Sequence, residues 1–282
     1  MQTLRRITFI LLLSAGVGQA ETVQIVTWNL EWFPGKKPTS TPAVRALHMS
    51  EGKDALFVIN PDIFCAQEIR DWENFAELTS VLPNLKPLTV SKFRDTPKGG
   101  AISIQQTAIA STYEADSAWF EEFTAATNTP PRGFSFAAIH IGKTTVLLYS
   151  VHLKSNMGGI PLAIPKREEG AKQLIAHAMN MEKLYGKRGM TATIIAGDFN
   201  TDPTDPQFAQ DKTFDEFKRA GFKWVWETTP REKRVTHKGN NKYPDATFDG
   251  FLTKGTQVVS AEALPATQAS DHNPVLLKIE IP

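Results

Sequence analysis

Eight short apolar runs of strand length recur along the chain: "VQIVTW", "DIFCAQE", "AISIQQTAIA", "FSFAAIHI", "TVLLYSVHL", "TATIIAGDF", "ATFDGFL" and "PVLLKIEI". Several alternate or stay apolar throughout, bounded by Gly, Pro, Asn or Asp, which is the signature of strands. Between them lie segments with helical periodicity. In "KREEGAKQLIAHAMNMEKLYG" the side chains of Ala171, Leu174, Ile175, Ala178, Met181 and Leu184 share one face, and Gly186 offers a stop. "TPAVRALHMSEGKDALFVIN" before Pro61 and "DWENFAELTSVL" before Pro83 are two further amphipathic candidates. Strands outnumber helices and both types are mixed along the chain. This predicts packed sheets covered by helices, not a regular βαβ alternation.

No internal repeat, low-complexity tract or long Pro/Gly/Ser linker divides the 282 residues, and a composition that is 41% hydrophobic can fill one large core. The chain has one cysteine, Cys65, so no internal disulfide can brace it. Apolar neighbours on both sides make Cys65 a small buried core residue, not a reactive thiol.

The N-terminus places Arg5 and Arg6 ahead of an apolar stretch, Ile7 to Leu13, and then small residues up to Ala20. That is the pattern of a secretory signal peptide over residues 1–20, too short for a stable span, with an uncleaved anchor as the alternative. One domain then covers 21–282, and the expected location is secreted or periplasmic. The 31 basic residues nearly balance the 30 acidic ones, and residues 1–20 contain two of the former and none of the latter. Composition therefore gives no reason to expect a strongly basic nucleic-acid clamp, and an anionic substrate has to be held locally.

The polar residues at the ends of the apolar runs are more informative. "VQIVTWN" stops at Asn29, "DIFCAQE" at Glu68, "TVLLYSVH" at His152, and "TIIAGDFN" at Asp198 and Asn200; Asp249 lies in "ATFDGFL", and Asp271 and His272 precede "PVLLKI". Taken singly, each has an ordinary reading. An Asp or Asn after a strand is usually a turn or cap residue, and a lone buried histidine is usually a hydrogen-bonded structural one. Six segments carrying the same hard acid–base chemistry favour convergence on one cleft. Carboxylates and amides without clustered thiols suit Mg²⁺, Mn²⁺ or Ca²⁺ better than zinc.

The ordered set "TWNLEW", "CAQE", "VHLKSN", "AGDFN", "TFDGFL" and "SDHNPV", from about Val23 to Ile281, resembles the endonuclease/exonuclease/phosphatase superfamily. The resemblance is to its deoxyribonuclease-like metal-dependent phosphoesterases. It implies a four-layer α/β/β/α sandwich, two central mixed sheets flanked by helices, with the active site at one end of the sheets. It also implies roles. Glu68 matches the principal metal-binding glutamate, Asn29 the amide supporting the metal and phosphate, and Asp271 the second carboxylate on the metal side. Asp198 and Asn200 match the pair that positions water and touches phosphate, Asp249 the acid that orients His272, and His152 a histidine on the phosphate and leaving-group side. Arg132, in "PPRGFSF", stands where a phosphate-contacting arginine is often found, with an exposed loop cation as the equal alternative. Either Asp198 or His272 is the base.

The implied activity is divalent-metal-dependent phosphodiester hydrolysis by a monomer with no obligate protein partner and with nucleic acid, DNA or RNA, as substrate. A sphingomyelinase-like phospholipase C or a phosphomonoesterase is the alternative, and a binding module with a dead site a further one. "KFRDTPKGG", "PKREEGAK" and "PREKRVTHKGNNK" supply cations for phosphates or are solvated loops. "NMGGIPLAIP", Asn156 to Pro165, is expected as a loop after the "VHLKS" segment, either exposed toward lipid or packed on its helix.

Overall fold

In the computed structural model, residues 21–95, 100–239 and 244–282 are described; the expected signal peptide lies outside them. The first half of the chain runs β1 (Glu21–Phe33), α1 (Pro42–Ile59), β2 (Ile63–Ile69), α2 (Trp72–Thr79), β3 (Lys86–Val90), β4 (Gln106–Ser111), β5 (Ala115–Glu122) and β6 (Gly133–Ile141). The second half runs β7 (Thr144–His152), α3 (Ile160–Tyr185), β8 (Met190–Asp198), α4 (Thr213–Arg219), β9 (Lys223–Trp224), β10 (Asp249–Lys254), β11 (Gln257–Ala263) and β12 (Val275–Ile281). They form two six-stranded sheets of order β11-β12-β1-β2-β4-β3 and β5-β6-β7-β8-β10-β9. Both are mixed, since β1 and β2, and β7 and β8, pair in parallel while their other neighbours are antiparallel. The expected four-layer sandwich is the observed one.

The period of two in the strands produces the layers. On the first sheet Ile25, Ile63, Cys65 and Ile109 face inward to the core shared with the second sheet. Their neighbours Val26, Phe64, Ala66 and Ala108 face outward, onto Met49 and Leu56 of α1 and Phe75 and Leu78 of α2. On the far side Ala171, Leu174 and Ala178 of α3 and Phe217 of α4 cover the second sheet. Cys65 is fully buried, and burial pushes its thiol far up. Thr41 and Asp71 cap α1 and α2 by accepting from Val44 N and Asn74 N, and Asn60 closes α1 in the left-handed conformation.

The helix expected from Lys166 begins earlier, at Ile160, so Ile160 to Pro165 form its first turns and not a loop. Pro161 stands in the first turn, where its missing N–H has no helical partner to lose, whereas Pro165 lies inside the helix and has no N–H to give to the carbonyl one turn back. Leu184, expected on the buried face, is 46% exposed, and Tyr185 is buried instead. The edge strands β5 and β11 and the short β3 and β9 have no counterpart among the eight apolar runs. Their faces are largely half-buried or exposed, so hydrophobic periodicity is weak there.

Candidate active site

Strand register assembles one half of the site. β7 and β8 run in parallel and finish together, pairing His152 with Asp198; β10 runs antiparallel to β8 and begins with Asp249 opposite Asp198. Three titratable residues from three chain segments thus form one row at the end of the second sheet. Gly197 makes the approach feasible: its φ is +152°, and an added Cβ would lie 2.0 Å from Val151 O.

The first sheet faces that row with Asn29 and Glu68. After Asn29, β1 leaves its register with β2, and Glu31 and Trp32 take left-handed backbone, turning the Trp32 N–H to donate to Glu68 Oε2 at 2.9 Å. Glu68, Arg132 and Asn200 also have positive φ. This concentration of unfavourable backbone at one end of the sandwich is typical of functional sites. The Asn29 amide bridges the sheets, donating from Nδ2 to Glu68 Oε1 at 3.3 Å and Asp198 Oδ2 at 3.0 Å.

His272 reaches the site through its own clamps. Ser270 Oγ donates to Asn29 O at 2.7 Å and accepts from His272 N, while Trp28 Nε1 donates to His272 O at 2.9 Å. The imidazole Nδ1 lies 2.7 Å from Asp249 Oδ2. Burial opposes a charge on His272, but Asp249, helped by Asp198 and Asp271, outweighs it and raises the imidazole to about 10. Burial and then Asp249 push the Asp198 carboxyl up to about 7, against His272, Asn29 and the Asn200 N–H. His152 is held well below its usual range by burial, Arg132, His272 and Lys154. Its Nε2 lies 3.5 Å from Asp198 and 3.9 Å from Glu68.

The remaining expected residues stand around this centre. Asn200 accepts from Asn156 Nδ2 through its carbonyl, donates from Nδ2 to Leu153 O at 3.2 Å, and donates its N–H to Asp198 Oδ1 at 2.9 Å. Arg132 is half-buried near Glu68 and Asp198, and burial lowers its pKa. Its guanidinium donates to His152 O at 2.9 Å, Leu153 O at 2.7 Å and Gln105 Oε1 at 3.4 Å. Asp271 sits on the other flank, 3.7 Å from His237 Nε2; burial raises its carboxyl, but His237 and His272 bring it below its usual value. Asp202 makes a turn, accepting from Thr204 N and pairing with the buried Arg234 at 2.8 Å.

Two residues of the site are absent from the sequence-based set. Glu31, two residues past Asn29, has its carboxyl raised to about 7 by burial and by Asp271, with Glu68 adding to it. His237 packs its ring 4.6 Å from that of His272, and His237, Asp271 and His272 offer ligand atoms within 4.8 Å of one another. Asp198, Asp249 and His272 form a second such group. Glu31 was within reach of the motif "NLEW"; His237, in a charged stretch, carried no signal. Within "PREKRVTHKGNNK", Arg231 and Arg234 pair with Asp205 and Asp202, so those two cations are engaged. Thr96 to Gly99 and Asn240 to Lys242 lie outside the described residues.

A hard-oxygen cleft with an oriented histidine at the end of an α/β/β/α sandwich defines the metal-dependent phosphoesterase class. The chain belongs to the Endonuclease/Exonuclease/phosphatase family, whose profile matches residues 26–272. No curated protein matches it. Among solved structures it is similar to a Bacteroides vulgatus family member (16% identity, 93% of this chain and 100% of that one, TM-score 0.67). It is also similar to one from Bacteroides thetaiotaomicron (16%, 94% and 99%, TM-score 0.66) and to TDP2 from Caenorhabditis elegans (15%, 92% and 75%, TM-score 0.62). At these identities the likeness is one of fold. Members of the family are usually divalent-metal-dependent phosphoesterases.

Proposed function

We propose that the protein is an exported Mg²⁺-dependent phosphodiesterase that hydrolyses nucleic acid, DNA in the first place, as a monomer. The observation that carries the reading is the meeting of two carboxylate-bearing sheet ends through one amide, Asn29 between Glu68 and Asp198.

The donor set fits a divalent cation. Among the described residues, Glu68, Asp198, Asp249 and Asp271 form ion pairs with histidines only, never with Lys or Arg; charged His272 answers Asp249, and the other carboxylates leave negative charge for a counter-ion. Glu68 with Asn29, and Asp271 on the flank, would hold it, with Mn²⁺ or Ca²⁺ able to substitute. The ion would neutralise charge on a phosphoryl oxygen and on the departing oxygen.

The chain's own groups divide the remaining work. Asp198 lies near neutrality and accepts a proton from the attacking water. His272, charged and fixed by Asp249, donates to a phosphoryl oxygen. Asn200 and Arg132 flank the phosphate, and neutral His152 stands on the leaving-group side.

A lipid phosphodiesterase is the second reading, favoured by Met157 and Leu162, which are 83% and 67% exposed beside the site. Supercoiled plasmid, sphingomyelin vesicles and p-nitrophenyl phosphate, each incubated with the protein and Mg²⁺, separate the readings. Plasmid nicking that stops on chelation and in Asp198→Asn is expected. Intact plasmid beside cleaved sphingomyelin or p-nitrophenyl phosphate would overturn the nuclease reading.

A further inference from the structure

Beside the catalytic row lies a cavity of about 590 Å³ whose apolar walls are Met157, Ile160, Phe208, Pro244, Ala246 and Phe248. It is continuous with the candidate active site through two of its lining residues. Asn200 gives its N–H to Asp198, and His237 packs on His272. A group seated in the cavity is therefore within ester reach of a phosphate held by these residues.

The walls are set before any ligand arrives. Asn156 gives Nδ2 to Asn200 O and receives Arg167 Nη1 at 2.9 Å; Arg167, fully buried, is fixed by Asp211 at 2.8 Å and also donates to Lys154 O. This chain of bonds holds the Asn156–Ile160 wall against the catalytic asparagine, which lowers the ordering cost of binding. Phe208 and Phe248 stand edge to face with centroids 6.1 Å apart, and His237 tilts onto Phe248 at 5.6 Å. Such faces and edges suit a flat ring. Among the described residues no Asp, Glu, Lys or Arg lines the cavity, and its one titratable lining side chain, His237, is already paired with Asp271, so these walls offer a charged substituent little compensation.

We propose that this cavity is the specificity pocket of the site, taking a neutral planar ring, a nucleobase or an aryl group, carried by one ester arm of the scissile phosphate. The proposal rests on the phosphodiesterase reading and sharpens it to substrates with a ring next to the reacting phosphate. It makes Phe248 and Met157 specificity residues, and not catalytic ones.

Two measurements test it on the full Mg²⁺-loaded protein. Calorimetry compares phenylphosphonate, methylphosphonate and phosphocholine, and kinetics compare benzyl and methyl esters of trifluoroethyl phosphate, which share one ring-free leaving group and differ by a phenyl ring. A preference of about tenfold for the phenyl ring is expected in both, the scale of one good aromatic contact. Phe248→Leu and Met157→Ala should each shrink it to roughly threefold or less on the same scale. Met157 is 83% exposed, so its substitution keeps the test open if the Phe248 variant fails to fold. Equal binding of phenyl and methyl, a preference unchanged in the variants, or tighter binding of phosphocholine than of phenylphosphonate would overturn the pocket. A ring preference in binding with neither ester hydrolysed would uphold the pocket and overturn the phosphodiesterase reading.

Discussion

The Asp249 carboxylate grips His272 Nδ1 at 2.7 Å with one oxygen, and its other oxygen is buried without a hydrogen-bond partner. The pair fixes the ring and keeps it charged. In Asp249→Asn, burial acts on His272 with far less opposition, so its pKa falls from about 10 toward or below the ordinary 6.5. NMR titration of the imidazole in the metal-free protein should show this fall, and turnover at pH 8 should drop by ~10²-fold or more. An unmoved His272 titration would remove Asp249 from the role given to it.

Asp198 is ionised only above about pH 7 in the metal-free protein. Turnover that needs its carboxylate has an acid limb, which a bound cation moves to a pH below that value, since a nearby positive charge favours the ionised form. Asp198→Asn should lower single-turnover rates by ~10²-fold or more and leave no acid limb in the residual activity. Near-parental rates in the variant would overturn the assignment of Asp198 as the base.

Glu68→Gln keeps the acceptor for the Trp32 N–H and removes the charge. Mg²⁺ should raise the melting temperature of the parent and have much less effect on the variant, because an ion stabilises only the state that binds it. Thermal unfolding across a Mg²⁺ series gives the comparison without any substrate; superimposed curves for the two proteins would place the ion elsewhere.

His48 makes a pH-dependent contribution remote from the catalytic row. Its Nδ1 accepts from Gly35 N–H at 2.8 Å, so Nε2 carries the proton and donates to Ala269 O. Burial lowers the imidazole to about 4 against 6.5 when unfolded. The unfolded chain then binds more protons between these values, so the stabilisation is complete above 6.5 and declines as pH falls toward 4. Urea unfolding of the parent and His48→Gln should show a stability gap at pH 7 that narrows by pH 4.5.

Arg167→Met strands the Asp211 carboxylate, whose side chain is 1% exposed. Removal of one partner of such a buried pair costs ~3–5 kcal/mol, and replacing Asp211 by Leu in the same chain should recover much of it. Denaturant unfolding of the single and double variants measures both. A loss below ~1 kcal/mol in the single variant would mean that solvent reaches the pair.

Much of this organisation is legible in the sequence because it is local. The alternation in "VQIVTW" and "DIFCAQE" already says that Ile25 and Val26, or Cys65 and Phe64, face different layers, and the structure divides them that way. The polar ends of such runs likewise mark Asn29, Glu68, His152 and Asp198 as residues that close an apolar run, whereas Asp249 lies within its run and only the structure makes it the first residue of β10. The edge strands β5 and β11 left no such mark, since a half-exposed strand need not be apolar on either face.

Contacts between distant segments are another matter. That Asn29 would span Glu68 and Asp198, that Arg132 would give its guanidinium to the carbonyls of His152 and Leu153, and that His237 would lie on His272 depends on sheet register and on how two sheets stack. The same holds for the cavity, whose walls come from the start of α3, a 3-10 turn at Pro206–Phe208 and the segment before β10. The sequence by itself determined which residues sit at strand ends and which face a core, because burial period is a property of neighbours along the chain. Only the tertiary structure decided which of those ends meet, because strand pairing joins residues far apart in sequence through backbone bonds that carry no side-chain signature.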